Sequence, residues 1–228
     1  MVKRTGTAIT RERYRTPKEL RIGLLGLLSK QRRSLMWTSS TARGRRHLLA
    51  IREPIWGMHW MDYWRNNRAL KHIVPPGETF PEVGLGELLQ RVCRGRVFEF
   101  GCGYGRLAQF FEPSAYYGYD INPAALTEAH RRNRRHTFGM EWEVADTFLA
   151  HTVLLHIPDD DLSELATKIK KYDRIVIGEI MGRKWRRPGD PPVFNRESAE
   201  YEKLLGRKAT QYKVPYPRYQ TSLTVLVL

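Results

Sequence analysis

From Arg96 onward the chain alternates short apolar runs with amphipathic stretches. Runs of four to eight β-branched and aromatic residues read as strands, and apolar positions spaced three and four apart read as helices. On that basis strands are predicted at Arg96–Phe100, Tyr116–Tyr119, Met140–Val144, Thr147–Thr152 and Arg174–Ile180. A last strand pair is predicted at Lys208–Val214 and Ser222–Leu228. Between them, helices are predicted at Arg106–Phe111, Pro123–Arg135, Asp159–Lys171 and Ala199–Leu205. Pro123 suits a first helical position because its missing N–H has no partner there anyway. Asp159, Asp160 and Asp161 suit the positive end of a helix dipole. Such alternation predicts a mostly parallel sheet with helices on both faces, an α/β Rossmann-like class, closed by an antiparallel strand pair.

Ahead of this region the pattern changes. Pro54–Leu70 places Trp56, Trp60, Tyr63 and Trp64 on one helical face, and Pro75, Pro76 and Gly77 end it. Leu85–Cys93 reads as a second helix, stopped by Gly95. Three stretches follow: a basic extension over residues 1–50, a helical lead-in or lid over 51–94, and an α/β domain over 95–228.

Charge separates the first stretch from the rest. Of the net +15, residues 1–50 carry +11, from 13 Lys or Arg against 2 Glu. A field of that sign suits nucleic acid, an anionic membrane surface or an acidic partner. The alternatives are a solvated tail, or sequence upstream of a start near Met36, since no nucleic-acid motif accompanies the charge. Cys93 and Cys102 are the only cysteines and match no zinc spacing, so no metal is expected. Two cysteines and no apolar run of about 20 residues point to a cytoplasmic protein without a transmembrane segment.

The chemistry-bearing segment is Glu99-Phe-Gly101-Cys102-Gly103-Tyr-Gly105, followed by Tyr117-Gly-Tyr-Asp120. Glycines permit positive φ and, lacking Cβ, let backbone approach a ligand closely. An acid at the end of the next strand can accept both ribose hydroxyls of a nucleoside. The spacing departs from the dinucleotide fingerprint Gly-x-Gly-x-x-Gly. Glu-x-Gly-x-Gly-x-Gly resembles instead the first motif of class I S-adenosylmethionine-dependent methyltransferases, and Asp120 resembles their second-strand acid. Asp146-Thr-Phe-Leu-Ala-His151-Thr-Val-Leu-Leu-His156-Ile-Pro resembles their fourth-strand motif.

The resemblance implies S-adenosylmethionine as cofactor. Glu99 would orient its amino-acid end. Gly101, Gly103 and Gly105 would pass under methionine and ribose, with Cys102 and Tyr104 filling the loop. Asp120 would hold the ribose, Ile121 would lie beside adenine, and His151 near the sulfonium. Only 25 residues separate Asp120 from Asp146, fewer than the family usually needs there. Asp146 therefore either opens the fourth strand or supplies the loop acid that touches adenine.

No Asn/Asp-Pro-Pro-aromatic run follows the fourth strand and no Pro-Cys nucleophile is present, so neither nucleic-acid amino methylation nor cytosine C5 methylation is expected. What remains is O-, N- or C-methylation, with a small-molecule acceptor first. An RNA or protein substrate docked through residues 1–50, or a non-catalytic nucleoside-binding module, are the other readings. His151, His156 and Glu179 are the candidate bases, each with a structural alternative. The basic loop Gly182–Arg196, bearing Trp185, either covers an acidic or aromatic substrate or is a rigid surface loop. The Trp56–Trp64 face is either a lid or packing. Sequence leaves the oligomeric state open.

Overall fold

A computed structural model describes residues 60–73, 82–187, 191, 193–217 and 220–228, all within the unit Arg52–Leu228. The basic extension, Trp56 and the turn at Pro75–Gly77 lie outside the described residues.

Seven strands form one sheet: β1 (Val97–Phe100), β2 (Tyr116–Tyr119), β3 (Thr137–Gly139), β4 (Thr147–His151), β5 (Arg174–Glu179), β6 (Thr210–Tyr216) and β7 (Thr221–Val227). Their order is β3-β2-β1-β4-β5-β7-β6. The first five run parallel, and β7 enters antiparallel between β5 and β6. β1 and β4 are buried at every position, as strands covered on both faces must be. Side-chain alternation divides the core. Val97, Leu149, Val176 and Val225 pack with helices α2 (Leu85–Val92) and α3 (Pro123–Arg132). Phe98, Phe148, Ile175 and Leu226 pack with α4 (Asp159–Ile169) and α5 (Ser198–Leu205).

Local chemistry sets the helix ends. Asn122 caps α3: its Oδ1 accepts from the N–H groups of Ala124 and Ala125, and Pro123 follows in the first turn. A capping box between Glu197 and Glu200 opens α5, and Gly206 in the left-handed region closes it. The short helix α1 (Trp60–Arg65) leads into a 3₁₀ turn over Asn67–His72. Asn122 Nδ2 donates to the carbonyls of Trp64 and Asn66, tying this lead-in to the start of α3.

Two sequence expectations are corrected. The stretch after the glycines is not a six-residue helix but a 3₁₀ turn over Ala108–Phe110, ended where Phe111 turns extended at φ −125° and ψ 149°. The third strand is Thr137–Gly139, not Met140–Val144. Phe138 points into the α2/α3 core, whereas Met140 and Val144 are exposed. Among the described residues no helix is long and apolar enough to cross a membrane.

Candidate functional site

The carboxyl ends of the parallel strands open into a cavity of about 1160 Å³. β1 delivers the chain to Gly101, where the sheet ends. The N–H groups of Gly101 and Cys102 both donate to the Tyr119 carbonyl, at 2.8 and 2.9 Å, closing the loop onto β2. Gly101, Gly103 and Gly105 have φ of +75°, +54° and +68°. A Cβ on Gly101 would lie 2.6 Å from Val153, and one on Gly105 would lie 2.7 Å from Phe138. On Gly103 it would meet Ile73 of the lead-in at 3.0 Å. Backbone conformation and space therefore both demand glycine at the first and third positions.

Asp120 follows β2 directly. Its Oδ2 accepts from Gly103 N–H and its Oδ1 from Asn122 N–H, each at 2.8 Å. Burial raises its pKa, and these backbone donors oppose the rise. The carboxylate thus fixes the middle of the glycine loop and still has lone pairs for a ligand. Gly101, Cys102, Gly103, Asp120 and Ile121 all line the cavity. Cys102 does so from within the core, 5% exposed, and burial raises its thiol pKa far above the usual range. Glu99 also lines the cavity, fully buried, and accepts from the Tyr116 hydroxyl. Burial raises its carboxyl pKa to about 7.

Beside the loop stands a cluster that sequence reading missed. Glu82, fully buried, accepts two bonds from Arg106, at 2.7 and 3.0 Å, and one from His151 Nε2 at 2.8 Å. Burial would raise its pKa. The bonds to His151 and Arg106 outweigh this and hold it near 2. Desolvation lowers the His151 pKa, against the pull of Glu82. A neutral ring donating from Nε2 leaves Nδ1 as an acceptor. That atom is buried without a partner among the described residues, on the side where a Cβ on Gly178 would come within 2.6 Å. His151 is therefore part of the cavity wall, with one nitrogen committed and the other sealed. Glu82 is placed by its neighbour Val83, whose N–H donates to the Pro215 carbonyl in β6. Arg106 gave a partial signal: a cation directly after a buried glycine loop needs a carboxylate. Its partner sits 24 residues earlier, on a segment without periodicity.

The other candidates separate cleanly. His156 lines the cavity with its ring centroid 4.6 Å from that of Trp64. Glu179 does not line it. That side chain is buried on the α4/α5 side, accepting from Leu155 N–H at 2.9 Å and the Tyr201 hydroxyl at 2.6 Å, with its pKa raised by burial to about 7. Each of its two oxygens is engaged by one of these donors. Asp146 lies at the amino end of β4, exposed, accepting from Arg96 N–H at 2.7 Å. It stands directly before β4 and is not among the residues that line the cavity.

The far side of the cavity is built from side chains. Trp60, Met61 and Trp64 come from α1, Asp161 and Glu164 from α4, and Lys184–Arg187 from the loop after β5. Trp60 Nε1 donates to Asp161, joining lead-in to α4. Thr152, also in the lining, holds φ of +55°, a conformation that non-glycine residues rarely adopt and that collects at functional sites.

No protein-family model matches the chain, and no curated protein matches it in sequence. Solved structures do. The crystal structure of magnesium protoporphyrin IX methyltransferase (ChlM) from Synechocystis PCC 6803 with bound SAM is 17% identical, with a TM-score of 0.52 over 73% of this chain and 93% of that one. The same enzyme with bound SAH gives 16% identity and a TM-score of 0.54, over 73% of this chain and 95% of that one. Sheet order, antiparallel ending and these superpositions agree: the chain has the fold of the class I S-adenosylmethionine-dependent methyltransferases.

Proposed function

We propose that this chain is an S-adenosylmethionine-dependent methyltransferase acting on an O or N atom of a small molecule. The observation that carries the reading is the Gly101–Gly105 loop, pinned to Asp120, at the edge of a cavity of about 1160 Å³. Ligand pockets generally measure roughly 300–1000 Å³, and a cavity of about 1160 Å³ at the upper end of that scale supports a site shared by a cofactor and an acceptor. The residues present fit the cofactor. Asp120 retains lone pairs for ribose hydroxyls, Ile121 offers an apolar surface for adenine, and the Cβ-free loop permits close approach. Bound there, S-adenosylmethionine supplies an electrophilic methyl group.

The chain's remaining task is to position the acceptor, exclude water and receive a proton. Holding the nucleophile in line supplies much of the acceleration. The Trp60 and Trp64 side chains narrow the cavity on the lead-in side. His156 is the candidate base, because its imidazole lines the cavity and histidine is the side chain most often used for general acid–base work. Glu82 acts at a distance by holding Arg106 and His151 rigid beside the loop.

The test is calorimetric titration with S-adenosylmethionine, with label transfer read against metabolite and RNA pools. Asp120→Ala is expected to weaken binding by roughly 1.5–3 kcal/mol, the range for bonds to a charged group. Unchanged affinity would remove Asp120 from the ribose role. Label appearing in RNA, with salt-sensitive binding, would replace the small-molecule reading by docking through residues 1–50.

A further inference from the structure

The loop after β5 carries five cations between Arg183 and Arg196, and their pairing is uneven. Arg183 bonds Glu200 through both Nε and Nη2. Arg186 bonds Asp159 twice, at 3.0 Å each, and its Nε donates to the Asn195 carbonyl. Arg196 is buried, donating to the Leu154 and Ile157 carbonyls and pairing with Asp159 at 2.6 Å. Lys184 and Arg187 have no carboxylate among the described residues, and both line the cavity. The three paired arginines hold the loop in place, and the two cations without a described carboxylate line the ligand space, Lys184 with its Nζ 5.4 Å from the Trp185 ring centroid.

No described acid of the lining forms an ion pair with either cation, although hydrogen bonds from neutral donors leave the charges of Asp120 and Asp161 in place. Asp120 is engaged by backbone N–H groups, Glu99 by Tyr116 and Asp161 by Trp60. Glu164 is followed one helical turn later by Lys168, also in the lining, so that pair adds no net charge. Two further features describe the body of the ligand. Trp60, Trp64 and Trp185 present flat apolar surfaces to the cavity. Trp64 Nε1, a group that can only donate, is buried without a partner among the described residues. Buried donors are nearly always satisfied in native structures, and a ligand oxygen would satisfy this one.

We propose that the acceptor is a flat, largely apolar molecule bearing an anionic group, with Lys184 and Arg187 recognising the anion and the tryptophans the flat body. The word acceptor rests on the methyltransferase reading, whereas the ligand class rests on the cavity's own lining. A carboxylate and a phosphate share the required chemistry.

The experiment compares 2-naphthoate, 2-naphthyl phosphate and the neutral isostere 2-naphthamide by thermal shift and calorimetry, with and without saturating S-adenosylhomocysteine. At low salt at least one anion is expected to bind about tenfold tighter than the amide, the change a charge contact worth one decade produces. The preference should shrink as salt rises, because Lys184 and Arg187 are exposed. In the double variant Lys184→Gln, Arg187→Gln it should fall to about twofold, with S-adenosylhomocysteine affinity unchanged. Which anion is preferred distinguishes carboxylate from phosphate. Equal binding of anions and amide, no binding of any, or a preference retained in the variant would each overturn the inference. If the anion preference holds but S-adenosylhomocysteine does not bind, the anion site stands and the methyltransferase reading falls.

Discussion

At the glycine-loop end of the cavity the ligand surface is mostly backbone, whereas at the opposite end it is mostly side chain. The first end uses positive-φ glycines, the N–H groups of Gly101 and Cys102 donating to the Tyr119 carbonyl, and one carboxylate anchored by N–H donors. Its parts are separated by few residues and fixed by a strand, a turn and the next strand. The second end collects Trp60 and Trp64, His156, Asp161 and Lys184–Arg187 from four separate elements. A backbone surface tolerates most neighbours and binds a ligand that does not change. A side-chain surface can be rebuilt by substitution without touching the sheet, so the two ends can change independently.

The Glu82 cluster joins the loop at the first end to the end of β4, and breaking it should have the largest effect. Glu82→Ala leaves Arg106 and His151 beside a hole where their acceptor was. Removing one partner of a buried charged set costs about 3–5 kcal/mol, read as a lowered urea midpoint. With its pKa depressed to about 2, Glu82 contributes stability that is present above 4.5 and is lost as pH falls toward 2. A loss below about 1 kcal/mol would mean that the cluster is not a joint between the two ends.

Glu99 has the opposite sign. Its folded pKa is raised to about 7 from 4.5. The folded protein therefore holds that proton more tightly than the unfolded chain, and stability from this group falls as pH rises from 4.5 through 7. Glu99→Gln removes the effect. Relative to wild type, the variant should gain about 3 kcal/mol between pH 4.5 and pH 8. Parallel stability curves would show that Glu99 stays ionised across that range. Glu179 is present in both proteins, so its own titration cancels.

The backbone end was legible in sequence and the side-chain end was not, for physical reasons. Glu99, the three glycines and Asp120 are required at fixed short spacings because a strand end, a left-handed turn and a neighbouring strand set them. Glu82 pairs with His151 across 69 residues, and no local pattern records such a contact. Glu179 and His151 both sit at strand ends in the sequence, yet strand alternation sends Glu179 to the α4/α5 face and seals His151 under β5. The third strand was misplaced because three residues carry too little periodicity to locate it. Trp60 and Trp64 did fall on one face, and both line the cavity, but their spacing could not separate lining from packing.

Gly103→Val tests the backbone end directly. The substitution puts a β-branched side chain at φ +54° and a Cβ 3.0 Å from Ile73, a local strain of about 1–3 kcal/mol. The variant should melt cooperatively but gain nothing from S-adenosylhomocysteine. Wild type should gain about 2.7 kcal/mol at a hundredfold excess over Kd. A variant that still responds would place the ligand away from the loop.

Trp60→Phe should have the smallest effect and belongs to the side-chain end alone. The indole N–H to Asp161 is the described hydrogen bond between α1 and α4, and phenylalanine keeps the apolar body while deleting the donor. Loss of a bond to a partly exposed carboxylate costs about 1 kcal/mol. Since α1 is only six residues long, it has little helical stability of its own and depends on such tertiary ties. The cost should appear as local opening: amides of Trp60–Arg65 exchanging about fivefold faster with deuterium, while β1 and β4 keep wild-type protection. S-adenosylhomocysteine affinity should stay within about twofold, because the glycine loop and Asp120 are held by their own backbone bonds. A cofactor affinity that falls together with α1 protection would mean that the two ends are energetically one surface, coupled through Ile73 where the lead-in meets Gly103.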